Sequence, residues 1–356
     1  MLRRQQLCER FGKQKVAALL VTNLNNLFYL TGFRGSAGVA LIGPAQSRLW
    51  VDPRYMLQAR EQVRGVEVIE ATKGLLQTAV RWVRKERLVP VGFEDSSVTY
   101  REFSQLQREG GKKIRWVPAG GIVEKLRMVK DAEEISLIRK AGQMTAEVFE
   151  EMRPEVRPGI AERDLAAEIE YRMKRKGADG PSFETIVASG ARSAWPHARP
   201  SCKLLQKSEL VIIDLGVILG GYAADMTRAL FLGAPGRRIR QLYNAVRDAQ
   251  QRAVEAAQKG RRAGDIDAAS RTFLEQKGLE SYFTHSTGHG VGLDIHERPR
   301  VGRADKTRLD PGCVITVEPG VYIEGLGGVR VEDTVLITAD GPEILTPAAK
   351  DNWFTG

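Results

Sequence analysis

Histidine is scarce in this chain and unevenly placed. Four occur, His197, His285, His289 and His296, and three of them fall within the run HSTGHGVGLDIH. Gly288, Gly290 and Gly292 are interleaved with them and permit close backbone approach. The cluster therefore reads as a site rather than as separate structural imidazoles. A second set is acidic. Asp214 sits in VIIDLG, inside an apolar strand, where an ionised carboxylate is costly unless it is paired or bound to metal. Asp225 follows in GYAADMTRAL, and Gly220-Gly221 supplies a two-residue hairpin turn between them. Opposed residues of such a hairpin have opposite parity, so Asp214 and Asp225 face the same side. Two like charges there repel, burial would leave one protonated, and a divalent cation holds both ionised. Pairing of Asp225 with Arg228 is the competing reading. Glu318 ends the apolar run CVITVEPG and Glu332 lies in GGVRVEDTVLI, where a partnership with Arg330 is the alternative. Asp214, Asp225, His289, Glu318 and Glu332 form an oxygen-rich set with one nitrogen. It suits two hard or borderline divalent ions sharing carboxylates better than a thiolate zinc site.

The surrounding sequence predicts how these residues are positioned. A chain of 356 residues, 42% hydrophobic, is long enough for two domains with real cores and too apolar for intrinsic disorder. The first third alternates strands and helices. Residues 16–20, 38–43, 47–52 and 66–70 read as strands, 77–86 and 100–110 as helices, and 90–93 and 113–117 as further strands, an α/β pattern. The breaker cluster Pro118-Ala119-Gly120-Gly121 marks a boundary, giving domains 1–121 and 122–356. Beyond it, Asp131 is a plausible N-cap for a long amphipathic helix ending at Pro154, and a second helix, 162–176, stops at Gly177. Strands then predominate, at 183–188, 210–219, 222–232, 314–317 and 329–337, with helices near 239–258 and 266–276. This is an α+β pattern with antiparallel hairpins.

Composition removes several classes. Cys8, Cys202 and Cys313 are odd in number and show no CxxC spacing, which argues against a disulfide scaffold and for a reducing, cytoplasmic setting. The stretch 16–33 is about as long as a membrane span but carries Asn23, Asn25 and Asn26, and the charged N-terminus lacks an apolar signal region. The net charge of +10 invites a nucleic-acid reading. Residues 1–120, however, hold 20 Lys and Arg against 10 Asp and Glu, while 121–356 hold 34 of each, so the acid-rich site lies in a neutral half. Arg237, Arg238, Arg240, Arg261 and Arg262 sit at helix edges without interleaved aromatics and read as solvated faces.

With these residues in view, the sequence resembles the pita-bread metallopeptidases, the family of Xaa-Pro dipeptidase (prolidase), aminopeptidase P, methionine aminopeptidase and creatinase. The motifs are SGARSAWPHARP, IIDLGVILGGYAADMTRAL, HSTGHGVGLDIHE, VITVEPGVYI and GGVRVEDTVLI. YLTGFRGSAGVALIG and WVDPRYMLQA resemble the creatinase-type N-terminal domain, and EKLRMVKDAEEISLIRKA the segment leading into the catalytic domain. The implied fold is an α/β creatinase-like N-terminal domain followed by an α+β pita-bread catalytic domain.

The resemblance implies two divalent metal ions, Mn, Co or Zn, held by Asp214, Asp225, His289, Glu318 and Glu332, with a bridging hydroxide as nucleophile. It implies that Glu318 shuttles a proton to the leaving proline nitrogen and that His197 and His296 donate to the carbonyl oxygen or the proline carboxylate. His285 would help hold the substrate, and Thr227 and Arg330 would orient Asp225 and Glu332 respectively. Expected partners are Xaa-Pro dipeptides or short proline-containing peptides and a second copy of the chain in a homodimer, with no nucleic acid and no membrane. Aminopeptidase P, acting on longer Xaa-Pro peptides, is the alternative within the family, and a metal-free pita-bread binding module the alternative outside catalysis. Methionine aminopeptidase is disfavoured by the N-terminal domain and creatinase by the intact ligand set.

Overall fold

Short apolar runs separated by amphipathic segments build the first part of the chain. In the computed structural model, which describes residues 2–355, they become strands β1 (Ala18–Val21), β2 (Val39–Ile42), β3 (Ser47–Val51), β4 (Glu67–Glu70), β5 (Val91–Phe93) and β6 (Trp116–Pro118). The helices of this part are α1 (Leu2–Glu9), α2 (Phe11–Gln14), α3 (Leu24–Thr31), α4 (Met56–Gln62), α5 (Leu75–Lys85), α6 (Tyr100–Gly110) and α7 (Glu124–Arg127). The sheet order is β4-β3-β2-β1-β5-β6, with β1, β2 and β3 antiparallel and the other pairings parallel. The α5 and α6 periodicity turns Ala79, Val80, Val83 and Leu106 toward Trp50 and Val91 in one core. The asparagine run, read in the sequence only as an obstacle to membrane insertion, starts α3: Asn23 Oδ1 accepts the Asn26 N–H at 3.0 Å.

Chain contacts divide the molecule into Met1–Arg127 and Met128–Gly356. The division falls after α7, later than the Gly121 of the breaker cluster. Arg127 Nη1 donates to Asn26 Oδ1 at 2.8 Å, and Asn26 Nδ2 donates to Glu94 at 2.6 Å and Glu124 at 2.8 Å, which fastens α7 to α3 and β5.

In the second unit, α8 (Ala132–Met152) opens on a capping box in which Asp131 accepts from Glu134 N and Glu134 accepts from Asp131 N. Helices α9 (Glu162–Arg175), α10 (Arg237–Ala256) and α11 (Ala263–Gln276) follow. The strands are β7 (Gly180–Pro181), β8 (Ile186–Ser189), β9 (Leu210–Leu215), β10 (Val217–Leu219), β11 (Tyr222–Ala223), β12 (Met226–Leu232), β13 (Gly288–Gly290), β14 (Glu297–Val301), β15 (Val314–Val317), β16 (Gly320–Ile323), β17 (Gly327–Arg330), β18 (Asp333–Ile337), β19 (Pro342–Ile344) and β20 (Phe354–Thr355). Two sheets carry the unit, ordered β20-β12-β9-β8 and β14-β13-β15-β18-β19. All residues of β9 and β12 are buried, as strands covered on both faces must be. One face packs on α8 and α9 through residues such as Val148, Leu165 and Ile169; the other packs on α10 through Leu242, Tyr243 and Val246. Further along, Ala253 and Val254 of α10 and Ile266 of α11 cover Ile315, Val317 and Val335 of the second sheet.

Three sequence expectations are corrected. Residues 210–219 divide into β9 and β10 and residues 222–232 into β11 and β12, with β10 and β11 joining β7 in a separate three-stranded sheet. Residues 329–337 are not one strand either: β17 pairs with β16, β18 pairs with β15, and Val331-Glu332 joins them. Alternation with period two reports which residues share a face and carries no record of a change of partner strand. Among the described residues no helix is long and apolar enough to cross a membrane.

Candidate metal centre and active site

The acids stand at or near strand ends. Gly220 and Gly221, with φ of 58° and 82°, make the turn that sets Leu219 opposite Tyr222 and, further down, Asp214 opposite Thr227. Asp225 immediately precedes β12, Glu318 immediately follows β15, and Glu332 immediately precedes β18. His289 is the middle residue of β13. Its flanking glycines let that strand lie tightly between its neighbours: a β-carbon at Gly288 would overlap the Thr316 carbonyl, and one at Gly290 the Arg298 carbonyl.

Ligating atoms of Asp225, His289 and Glu332 lie within 4.8 Å of one another. His289 Nε2 stands 3.6 Å from Asp225 Oδ2 and 3.5 Å from Glu318 Oε1. Its Nδ1 is 3.0 Å from the Gly290 carbonyl, which can only accept, so Nδ1 carries the proton and Nε2 presents a lone pair to the acids. Burial lowers the His289 pKa and keeps the ring neutral. Burial, reinforced by Asp214 and Glu318, pushes the Asp225 carboxyl well above its usual range; burial, reinforced by Asp225 and Glu318, does the same to Glu332. Burial also raises Glu318, against the pull of His285 and Arg330.

Asp214 Oδ1, Asp225 Oδ1 and Glu332 Oε1 are buried with no hydrogen-bond partner. Three orphaned acceptors around one imidazole lone pair are a poor arrangement for a protein alone and a good one for hard or borderline divalent cations. The residues present therefore fit such ions.

The supporting contacts exchange two expected partnerships. Thr227 Oγ1 donates to Glu332 Oε2 at 2.6 Å, not to Asp225, and Arg330 Nη2 donates to Asp214 Oδ2 at 2.6 Å, not to Glu332. The register explains both. The Glu332 N–H donates to the Thr227 carbonyl at 3.1 Å, placing that acid beside Thr227. Arg330 Nε donates to Thr227 Oγ1 at 3.0 Å, and its outer nitrogen then reaches Asp214, which Thr227 faces across the sheet. Arg228 likewise pairs with Asp333, at 2.8 Å, rather than Asp225.

All four histidines and all five proposed ligands line one cavity of about 640 Å³. His285 Nδ1 is 2.8 Å from the Ser286 carbonyl and is the protonated nitrogen; its Nε2 accepts from Tyr322 at 2.9 Å, and Tyr322 in turn accepts from Arg330 Nη1 at 2.7 Å. Burial pushes the Tyr322 hydroxyl up to about 12. His296 stacks edge-on near His289, ring centroids 4.3 Å apart, and His197 is exposed at the rim.

Residues 136–339 match metallopeptidase family M24, and residues 3–129 match the creatinase/prolidase N-terminal domain. The chain belongs to metallopeptidase family M24. It is 35% identical over 347 residues to a Xaa-Pro dipeptidase of Pyrococcus horikoshii, covering 98% of this chain and 97% of that one. A solved structure described as a Xaa-Pro dipeptidase from Bacillus anthracis superposes with a TM-score of 0.97 at 35% identity, covering 100% of this chain and 99% of that one. A solved X-Pro aminopeptidase of Thermotoga maritima superposes at 0.89 with 32% identity, covering 98% of this chain and 100% of that one. Family membership brings the pita-bread fold of the second unit and the creatinase-type fold of the first, and it implies bound divalent metal.

Tyr322 and Arg300 line or buttress the cavity without having been singled out in the sequence. Tyr322 lies in the apolar run GVYI, where nothing distinguishes a functional hydroxyl from a core aromatic. The structure places Arg300 opposite His289 in the β13–β14 pairing, on the strand that begins just after His296, across a register shift that the sequence does not record.

Proposed function

We propose that this M24 peptidase is a Xaa-Pro dipeptidase that holds two divalent ions, Mn, Co or Zn, between Asp214, Asp225, His289, Glu318 and Glu332. The observation that carries the reading is the set of buried, partnerless carboxylate oxygens around the His289 Nε2 at the floor of a cavity with a cationic side chain at its wall. When bound, such ions supply Lewis-acid polarisation of a carbonyl and lower the pKa of water toward neutrality.

The chain's own groups supply the rest. Glu318, raised by burial and opening on the cavity, takes a proton from the attacking water at a carboxylate oxygen and delivers it to the proline nitrogen as the amide bond breaks. His296 and His197 donate hydrogen bonds to the carbonyl oxygen as charge develops on it and to the substrate's carboxylate. The Ser286 carbonyl sets the tautomer of His285 and Tyr322 engages its other nitrogen, so that the ring is held in a fixed orientation in the cavity. The substrate bond is a tertiary amide without an N–H, so nothing on the wall need accept one; Phe183, Ile186 and Ile295 give that wall an apolar stretch.

Three arginines line the cavity. Arg330 is committed to Asp214 and Tyr322, and Arg199 lies 3.3 Å from Glu184. Among the described residues no hydrogen bond or ion pair engages the Arg300 side chain, which leaves the guanidinium to meet the free carboxylate of a dipeptide. That cation, placed to bind a carboxylate, favours dipeptidase over aminopeptidase activity. The three cysteines are unpaired, which supports a reducing, cytoplasmic setting, and the family resemblance supports a homodimer.

Xaa-Pro and Xaa-Pro-Yaa-Zaa peptides compared on the metal-loaded enzyme test the reading. The dipeptide is expected to be preferred by more than about tenfold in kcat/KM, the worth of one charge-assisted contact. Comparable cleavage of the longer peptide would establish the aminopeptidase alternative, and full activity after exhaustive chelation would overturn the metal-dependent mechanism.

A further inference from the structure

Lys130 is a buried lysine outside the ligand set. Its side chain is 1% exposed and its Nζ lies 3.2 Å from Glu297 Oε2, itself on a side chain only 6% exposed. Desolvating two ions costs several kcal/mol each, and an apolar pair of similar volume would serve stability as well or better. The geometry at both ends shows what the pair accomplishes instead.

At the lysine end the backbone is pinned to the strand that leads to Glu318. The Lys130 N–H donates to the Gly312 carbonyl at 2.9 Å, Val129 bridges Cys313, and β15 begins at Val314. A β-carbon at Gly312 would lie 2.8 Å from the Lys130 carbonyl oxygen, so the two backbones touch. At the glutamate end the carboxylate closes the turn that carries His296. Glu297 Oε1 accepts the Asp294 N–H at 3.1 Å, and the Gly292 N–H donates to the Asp294 carbonyl at 3.1 Å. A β-carbon at Gly292 would lie 2.6 Å from Glu297 Oε1, so the carboxylate is seated directly on the backbone.

The sheet does not make this connection. β14, which starts at Glu297, is separated from β15 by β13, and the β13–β14 register shifts between His289 and Gly290. At such an irregularity the regular ladder is interrupted, so the pairing of β13 with β14 does not by itself set the turn before β14. The Lys130–Glu297 pair spans the irregularity.

We propose that Lys130 is a positioning residue: through its buried pair with Glu297 it fixes the turn 292–297 and thereby where His296 stands in the cavity. The kinetic consequence rests on the role given to His296 above. The geometric consequence does not.

The experiment uses the metal-loaded full chain in four forms: wild type, Lys130→Met, His296→Ala and the double variant, with Lys130→Arg as the conservative control. Lys130→Met is expected to lower kcat on a Xaa-Pro dipeptide by about tenfold with metal content unchanged, the scale of a sub-ångström misplacement of a catalytic group. Lys130→Arg restores most of it. In the His296→Ala background, Lys130→Met costs less than about twofold more, because the group it positions is gone. With histidine labelled for NMR, Lys130→Met shifts the His296 ring resonance and leaves His197 and His285 in place, a readout that holds whatever the substrate. Equal losses in both backgrounds, or an unmoved His296 resonance, overturn the proposal. A wild-type enzyme inactive on Xaa-Pro dipeptides would overturn the substrate reading alone, since the resonance shift still decides the positioning role. If Lys130→Met does not fold, Glu297→Gln removes the same charge pair and carries the same expectations.

Discussion

Glu332 and Asp333 are neighbours in sequence, both buried, both carboxylates, and they live in opposite circumstances. Glu332 faces the cavity among like charges, keeps one oxygen without a partner and is pushed well above its usual pKa by burial, Asp225 and Glu318. Asp333 faces the interior behind it. Its oxygens receive Arg228 at 2.8 Å, Lys350 at 2.5 Å, Gln250 at 2.8 Å and Thr346 at 3.1 Å, and although burial alone would raise its pKa, Arg228 and Lys350 hold it low. Arg228 also donates to the carbonyls of Glu332, Thr346 and Ala348, so the satisfied side grips the backbone of the unsatisfied one. The contrast separates two uses of a buried acid. One is complete within the protein and contributes to its stability; the other is incomplete and has a place kept for something the chain does not contain.

The largest expected effect breaks the comparison on the cavity side. Asp225→Asn should reduce metal-dependent turnover by well over the roughly 10–100-fold that losing a residue behind a ligand costs. Its metal-free form should melt no lower than the metal-free wild type, because one repelling carboxylate has gone. Near-normal turnover, or a large drop in melting temperature, would show that Asp225 belongs with the structural acids. On the other side, Asp333→Asn should cost about 3–5 kcal/mol in urea unfolding of the metal-free protein, because Arg228 is left buried, and Lys350 half-buried, without their counter-charge. A loss below about 1 kcal/mol would remove the distinction drawn here.

The smallest effect sharpens the contrast with a third acid. Glu162 is buried at the start of α9; burial would raise its pKa, but hydrogen bonds from Ser201 and Ser189 and the charge of Arg192 bring it below the usual value. Between a lowered folded pKa and an unfolded one near about 4.3 the unfolded chain binds more protons, so this stabilisation is present above that range and is lost as pH falls through the folded value. Glu162→Gln should therefore cost about 1–3 kcal/mol at neutral pH, and the gap to wild type should close in acid. A gap independent of pH would mean that packing rather than charge holds that helix end.

The chemistry was more legible in the sequence than its support. Apolar runs interrupted by single acids exposed Asp214, Asp225, Glu318 and Glu332, and the paired glycines gave the hairpin register that the structure shows. The partners of those acids were misread because nearness in sequence stood in for nearness across strands. Arg228 and Arg330 each lie close in sequence to the acid first considered for them, yet both reach an acid on a strand of another sheet. Asp333 left a trace that alternation could have used: next to Glu332 it must point to the opposite face, as Arg228 does next to Thr227, and two opposite charges on one buried face predict each other. Lys130 and Glu297 left none, since their pairing depends on a turn and a displaced ladder 167 residues apart in the chain.

The glycines beside His289 bear on how a mutational scan of this protein would be interpreted. Alanine at Gly288 or Gly290 adds a single methyl to a position already filled by a neighbouring carbonyl, so both substitutions should score as severely as replacement of His289 itself. Tolerance profiles would then mark a contiguous three-residue block as essential while only its middle member takes part in chemistry. Scanning the same positions for retained fold and for retained turnover separately would divide the block into one functional residue and two whose value is that they occupy almost no space.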